Sequence, residues 1–129
     1  MQHIILDLYR CNPVSLVDRE HIASTFSAMP ALVEMEQVSP TLIYDIITSD
    51  PTDDGMSGFI VIATSHLAFH AWPEFNMLNF DLFSCEPFSE DAVIAFLREK
   101  FEPADIEIHR VSRGLRSPRP QKHRAIERR

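Results

Sequence analysis

Three apolar segments between residues 58 and 85 constrain the fold more than any other feature of the chain. GFIVIAT at 58–64 is apolar enough for a strand that is buried on both sides. HLAFHAW at 66–72 and MLNFDLFSC at 77–85 alternate between two kinds of side chain, as strands with two different faces do. Because only the short segment around WPEFN separates these two, we expect a hairpin there.

The remaining chain adds more strands and two helices. The further predicted strands are HIILDLY at 3–9, TLIYDIIT at 41–48 and DIEIHRV at 105–111. Ser15 followed by Asp18 resembles a capping box and predicts a helix over residues 15–29. Ser89 is the predicted cap of a second helix, whose apolar stripe ends at Phe101. The predicted fold class is α+β: a two-layer sandwich, with a mainly antiparallel sheet and two helices on one face.

Length and charge indicate a single acidic domain followed by a basic tail. A chain of 129 residues with 45% hydrophobic residues forms one core, which we place in residues 1–114. Residues 115–129 are basic and poor in large apolar side chains, so we expect disorder there. The acidic body is compatible with a cationic small molecule and argues against a nucleic-acid partner.

The N-terminus and the cysteines indicate a cytoplasmic protein. Asp7 and Arg10 interrupt the first apolar stretch, so we expect neither a secretory signal nor contact with a membrane. Cys11 and Cys85 are far apart and lack CxxC spacing, which favours two free thiols over a disulfide or a zinc site.

Several polar residues of the central segment have ordinary interpretations when taken singly. Ser57 fits a turn at the start of a strand, Cys85 a small buried hydrophobe, and Trp72 a core or interface aromatic. His66 and His70, with an acidic residue nearby, suggest a metal site. A third ligand at convincing spacing is missing, so we expect no metal.

The stretch GMSGFIVIATSHLAFHAWPEFNMLNFDLFSC at 55–85 carries the most specific signal. It resembles the prokaryotic S-adenosylmethionine decarboxylases, whose pattern is approximately GxSGxxxIxESHxxxHTWPExxxxxxDxFTCG. The matching positions, at unbroken spacing, are Gly55, Ser57, Gly58, Ile62, Ser65, His66, His70, Trp72, Pro73, Glu74, Asp81, Phe83 and Cys85. The resemblance continues in DLYRC at 7–11, where the family has DLYGC, and ends at Gly114.

This resemblance implies an enzyme that cuts its own backbone. In the family, a serine hydroxyl attacks the preceding carbonyl, and the resulting ester is eliminated and hydrolysed to leave a covalent pyruvoyl cofactor. Carried over, the chain is cut between Thr64 and Ser65, and Ser65 becomes the pyruvoyl group. That group forms a Schiff base with the substrate amine and replaces pyridoxal phosphate as the electron sink.

The resemblance also assigns roles to other residues. His70 and Ser57 take part in processing, and Cys85 is the acid that returns a proton to the substrate after carbon dioxide leaves. Trp72 and Glu74 belong to the substrate-binding side of the site. The family further implies a homodimer with active sites near its interface.

The chain departs from the family pattern at several positions. Thr64, Ala71 and Glu86 replace a glutamate, a threonine and a glycine. SDPTDD at 49–54 replaces HxFxP, which removes an aromatic that stacks on the adenine of the substrate and adds three carboxylates. Three hypotheses follow: decarboxylation of S-adenosylmethionine for spermidine and other polyamines, decarboxylation of a basic amino acid such as ornithine or arginine, and an unprocessed homologue that only binds.

Strand parity adds a geometric expectation. Ser65 and His70 are five residues apart, so on one straight strand they would point to opposite faces. We therefore predict a turn, bulge or bend between about residues 63 and 67, beyond which the two histidines of the motif share a face. Ser57 and Cys85 are expected to approach Ser65 around one small cavity, within the chain or its dimer.

Overall fold

The computed structural model describes residues 1–120, which form a six-stranded sheet with helices against one face. The strands are β1 Gln2–Tyr9, β2 Leu42–Ile46, β3 Gly55–Ile62, β4 Ser65–Trp72, β5 Met77–Ser84 and β6 Asp105–Ser112, and the helices are α1 Arg19–Ser27, α2 Met29–Leu32 and α3 Glu90–Phe101. The strand order is β2-β3-β4-β5-β1-β6, and every pairing is antiparallel. The predicted α+β class is confirmed.

One face of the sheet forms the core with the helices. Strands β1, β4 and β5 bury every second side chain, as their alternating sequences predict. Phe26 of α1 stacks on Phe69 of β4 at 3.8 Å between ring centroids, and Phe101 of α3 packs beside it. Each such buried ring contributes roughly 1.5–3 kcal/mol, so this layer fixes which face of the sheet lies inward.

The opposite face, called the outer face below, carries no helix among residues 1–120. The prediction that residues 58–64 are buried on both sides is therefore wrong: Phe59 is 38% exposed on this face, while Ile60 and Ile62 are fully buried on the other. Without a second layer, a strand with apolar side chains on both sides leaves one set accessible.

The first predicted helix is divided into shorter elements. A 3₁₀ turn covers Pro13–Leu16, and α1 begins at Arg19, because the Asp18 carboxylate accepts a hydrogen bond from the backbone N–H of His21 at 3.0 Å. Asp18 is thus the cap, whereas the Ser15 hydroxyl donates to the carbonyl of Asn12. The predicted start of the helix at Ser15 is wrong, because Pro13–Leu16 form a separate 3₁₀ turn with its own local hydrogen bonds.

The second long helix follows its sequence signals closely. Ser89 Oγ accepts from the backbone N–H of Ala92 at 3.2 Å and begins α3 as predicted. Glu102 ends the helix in the left-handed region, with φ 48°.

Two tight connections set the geometry of the central strands. Ala63 and Thr64 join β3 to β4, and Ala63 has φ 51°, so the predicted break lies at the beginning of the 63–67 interval. A 3₁₀ turn at Pro73–Phe75 joins β4 to β5 and confirms the hairpin around WPEFN.

The last described residues turn back toward the end of the sheet. The backbone N–H of Arg113 donates to the carbonyl of Met1 at 2.9 Å, and Arg119 contacts Cys85 and Glu86. Residues 121–129 of the predicted disordered tail lie outside the described residues. No helix within residues 1–120 is long and apolar enough to cross a membrane.

Candidate active site

Ser65 lies at the beginning of β4, next to the end of β5. Its side chain is only 4% exposed, and its Oγ accepts from the backbone N–H of Cys85 at 3.0 Å and donates to Cys85 Sγ at 3.5 Å. Thr64 Oγ1 lies 2.9 Å from the same sulfur. The two residues that flank the predicted scissile bond therefore both contact the predicted proton donor.

The two cysteines are chemically different because their surroundings differ. Burial alone would raise the pKa of the Cys85 thiol, but hydrogen bonds from Ser65 and Thr64 and the positive charge of Arg119 outweigh burial and lower it. Cys11 is enclosed in the core, where burial raises the pKa of its thiol to about 11. At neutral pH, Cys85 is the more acidic thiol of the two.

Ser57 and His70 form a second pair on the outer face. They are opposite each other on β3 and β4, and Ser57 Oγ lies 2.7 Å from His70 Nδ1. The tautomer of the imidazole decides which atom donates. A serine and a histidine in direct hydrogen-bond contact have the geometry needed to move a proton.

The two clusters lie apart within one chain. Ser65 and His70 belong to the same regular strand, so they are separated by about 17 Å at the usual rise per residue. The Ser65 side chain faces the helix layer, whereas His70 and His66 share the outer face, as predicted for the histidines. A single chain therefore does not place Ser57 and His70 around Ser65, and the common cavity stays a prediction for a dimer.

Cys85 lies just beyond the end of β5, whose last residue is Ser84. Its Sγ contacts the side chains of Thr64 and Ser65. The contact of Ser65 with Cys85 therefore lies at one end of the central strands, and the pair Ser57 and His70 lies at the other.

Comparison with known proteins identifies the family of this chain. Residues 2–114 match the family model for S-adenosylmethionine decarboxylase. The chain belongs to the S-adenosylmethionine decarboxylase family. The S-adenosylmethionine decarboxylase proenzyme of Thermomicrobium roseum is 32% identical over 117 residues, which cover 88% of this chain and 93% of the relative. The proenzyme of Thermoplasma acidophilum is 32% identical over 119 residues, covering 87% and 82%.

This chain also shares its fold with a solved structure. The crystal structure of the adenosylmethionine decarboxylase from Aquifex aeolicus superimposes with a TM-score of 0.75. The match covers 94% of this chain and 96% of that one at 19% identity, which shows a common fold.

Trp72 and Glu74, the predicted substrate-binding residues of this decarboxylase-family chain, lie at the His70 end. Trp72 Nε1 donates to Asn79 Oδ1 at 2.6 Å, and Asn79 Nδ2 donates to Asp7 Oδ1 at 2.7 Å. This network ties three strands together and orients the indole ring. Glu74 is exposed in the following 3₁₀ turn.

Sequence reasoning placed Asp81 in the family motif but gave no role to the polar group that it forms between the two clusters. Asp81 Oδ2 lies 2.9 Å from His3 Nε2 and 3.7 Å from His66 Nε2. Asp81 and His3, together with His70, line a shallow cavity of about 190 Å³ on the outer face. The signal that could have found it is parity, since Asp81 and His66 occupy the polar positions of adjacent alternating strands.

One group of side chains has the composition of a metal site. Asp7, Glu107 and His109 place their ligand atoms within 4.8 Å of one another on the outer face. The latter two are exposed, and such acidic groups commonly occur without an ion. The motif histidines His66 and His70 are not members of this group.

Proposed function

We propose that this chain is the proenzyme of a pyruvoyl-dependent decarboxylase that cuts itself between Thr64 and Ser65 and then acts on S-adenosylmethionine to supply polyamine synthesis. The observation that carries the proposal is the contact of Ser65 and Thr64 with Cys85 at a two-residue turn. The names of the relatives support it. A cytoplasmic location stays a prediction.

The processing chemistry needs only the Thr64–Ser65 peptide and water. Ser65 Oγ bonds to the carbonyl carbon of Thr64, the C–N bond breaks, and the hydroxyl proton passes to the released nitrogen, so that an ester joins the chain and residue 65 carries a free amine. Loss of the Ser65 α-proton then expels the Thr64 carboxylate, and water replaces the nitrogen as ammonia, which leaves the pyruvoyl ketone. The left-handed conformation of Ala63 holds the adjacent peptide in a strained turn.

Residue 65 is a suitable position for a pyruvoyl group. The group is small, and the Ser65 site is enclosed and lies against the Cys85 thiol. When present, it supplies an electron sink for loss of carbon dioxide. Cys85 is positioned to deliver a proton beside residue 65, and its lowered pKa favours that donation.

A homodimer accounts for the distance between the two clusters. If two outer faces pack against each other with their strands antiparallel, Ser57 and His70 of one chain approach the Thr64 and Cys85 end of the other. A two-fold axis then produces two identical composite sites. His70 and Ser57 would act in processing across this interface, with Trp72 and Glu74 beside the same site.

Self-cleavage is the first test of this function. We expect the purified chain to separate into fragments 1–64 and 65–129 on a denaturing gel, with a mass that reports the pyruvoyl end. Ser65→Ala should remain a single band, because it lacks the attacking hydroxyl. A wild-type chain that stays full-length on long incubation, like Ser65→Ala, contradicts processing and favours a homologue that only binds.

The substrate is tested separately on the cleaved protein. We expect release of labelled carbon dioxide from carboxyl-labelled S-adenosylmethionine and none above the Ser65→Ala background from ornithine or arginine. The acidic segment 49–54 is the feature that would favour a basic amino acid. Release from ornithine or arginine alone would overturn the assigned substrate while leaving processing intact.

A further inference from the structure

The C-terminal segment beyond the family match reaches the candidate site. The match ends at residue 114, yet the Arg119 guanidinium donates from Nη1 to the backbone carbonyl of Cys85 at 3.1 Å. Its Nη2 donates to Glu86 Oε1 at 3.2 Å. With Met1 and Gln2, this segment lines a cavity of about 310 Å³ that opens beside Cys85.

Two departures from the family pattern meet in this contact. Glu86 stands where the family pattern has glycine, and Arg119 lies in residues that the pattern does not include. The Glu86 side chain is mostly buried, whereas Arg119 is partly exposed. An ion pair that also binds a backbone carbonyl restricts the peptide between its two contacts more than an exposed pair does.

We propose that Arg119 is a positioning residue for Cys85, binding its carbonyl and the neighbouring carboxylate so that the thiol stays against Ser65 and Thr64 under a fixed positive charge. This positioning contributes to activity through the proton-donor role of Cys85, which rests on the proposed function. The reactivity of the thiol can be measured whether or not the chain decarboxylates a substrate.

Four groups face the Cys85 thiol. The hydroxyls of Ser65 and Thr64 and the charge of Arg119 lower its pKa, whereas burial and the negative charge of Glu86 raise it. Removing Arg119 should therefore raise the pKa, and removing the charge of Glu86 should lower it. If the contact between Arg119 and Glu86 had only a structural role, both substitutions would shift the alkylation rate of Cys85 in the same direction, because each breaks the same ion pair.

The experiment measures alkylation of Cys85 by iodoacetamide between pH 6 and 10, read by peptide mass spectrometry. All chains carry Ser65→Ala, so that each stays uncut. At pH 7 we expect Arg119→Gln to react about two- to fivefold more slowly and Glu86→Gln to react faster. The rates should converge above the thiol pKa. Arg119→Lys keeps the charge but loses the forked contact, so it should restore the rate only in part.

Arg19→Gln is the matched control. Arg19 also bridges a carboxylate and a backbone carbonyl, those of Asp45 and Ile43, but it does so at α1 and β2. It should leave Cys85 alkylation unchanged. Equal alkylation rates in Arg119→Gln and its parent would overturn the proposal, and so would slower alkylation in both Arg119→Gln and Glu86→Gln. If Arg119→Gln does not fold, slower alkylation in Glu86→Gln is by itself enough to overturn the proposal.

Measuring decarboxylation by chains that retain Ser65 distinguishes the positioning role of Arg119 from the proposed function. Arg119→Gln should lower kcat with little change in KM, and Arg119→Lys should recover part of it. If the wild-type chain releases no carbon dioxide but the alkylation rates shift as expected, the proposed function fails and the positioning role stands. If decarboxylation is normal and alkylation does not respond, the positioning role fails alone.

Discussion

At the scale of single residues, Cys85 derives its chemistry from neighbours on two separate segments. Ser65 and Thr64 reach it from the β3–β4 turn, and Arg119 reaches it from the C-terminal segment. These contacts lower the pKa of its thiol, although burial acts against them. Cys11 has no comparable set of contacts in the described chain, and burial raises the pKa of its thiol to about 11.

Replacing Cys85 should separate cleavage from decarboxylation. Because the proposed task of Cys85 is protonation of the product, Cys85→Ala should still cut between residues 64 and 65. Its rate of carbon dioxide turnover should fall roughly 100-fold or more, the usual contribution of a positioned acid. Gel analysis and carbon dioxide release measure the two steps.

Cys11→Ala is the control for this substitution, since it removes the other thiol from a buried position away from the turn. It should retain both steps. Equal decarboxylation by the Cys85→Ala and wild-type proteins would refute the assigned role of Cys85.

At the scale of elements, the β3–β4 turn combines a tight reversal with an unfavourable backbone conformation. Ala63 has φ 51°, and a side chain in this left-handed region costs about 1–2 kcal/mol. The strands on both sides hold it there, because Ile62 and Ser65 form the last pair of the ladder. The proposed scissile bond, between Thr64 and Ser65, therefore lies one residue beyond a strained one.

Ala63→Gly should relieve that strain. In the uncut Ser65→Ala background we expect the free energy of unfolding to rise by about 0.5–1 kcal/mol, because the greater entropy of the unfolded glycine chain offsets part of the gain. With Ser65 intact, we expect slower self-cleavage. Urea denaturation and a timed gel measure the two effects.

Arg10→Gly is the matched control. Arg10 also has positive φ, at 51°, and it stands where the family pattern has glycine, away from the proposed cleavage site. It should stabilise the chain similarly and leave the cleavage rate unchanged. If both variants are cleaved at the wild-type rate, the strain at Ala63 has no part in processing.

At the scale of the whole molecule, the outer face is the side of the sheet that no helix covers within residues 1–120. Tyr44, Phe59 and Val111 expose apolar groups there, beside the polar residues of the candidate site. Tyr44 and Phe59 lie on the paired strands β2 and β3, and an exposed apolar patch with a polar surround is typical of an interface between proteins. The Ser57–His70 pair and the Ser65–Cys85 contact lie at opposite ends of the central strands, which suits a two-fold symmetric pair of chains.

Mixed dimers test this arrangement directly. His70→Ala and Ser65→Ala chains should each remain uncut alone, the first lacking a processing group and the second lacking the nucleophile. When the two are refolded together, the His70→Ala chain should be cut, because His70 of the partner completes its site. A tag that changes the length of one chain identifies the product on a gel.

The control mixes His70→Ala chains with two different tags, which should give no cleavage. Light scattering of the wild type should report a dimer at micromolar concentration. A monomer, or mixed samples that remain uncut, would contradict a composite site.

The sequence by itself determined the strands, the second helix and the family. Alternation is a local property, so it predicted which side chains of β4 and β5 face the core. The cap at Ser89 was correct for the same reason, because its partner Ala92 is three residues away. The motif at 55–85 named the family that the comparison confirmed.

Tertiary structure decided which of these residues meet. Pairing of β3 with β4 brings Ser57 to His70, and the end of β5 brings Cys85 to Ser65, because strand register is set by packing and turn geometry over many residues. Parity in the sequence raised the conflict between Ser65 and His70, and the regular strand β4 leaves them on opposite faces. The approach of Arg119 to Cys85 joins residues 34 positions apart, a distance at which no local pattern carries information.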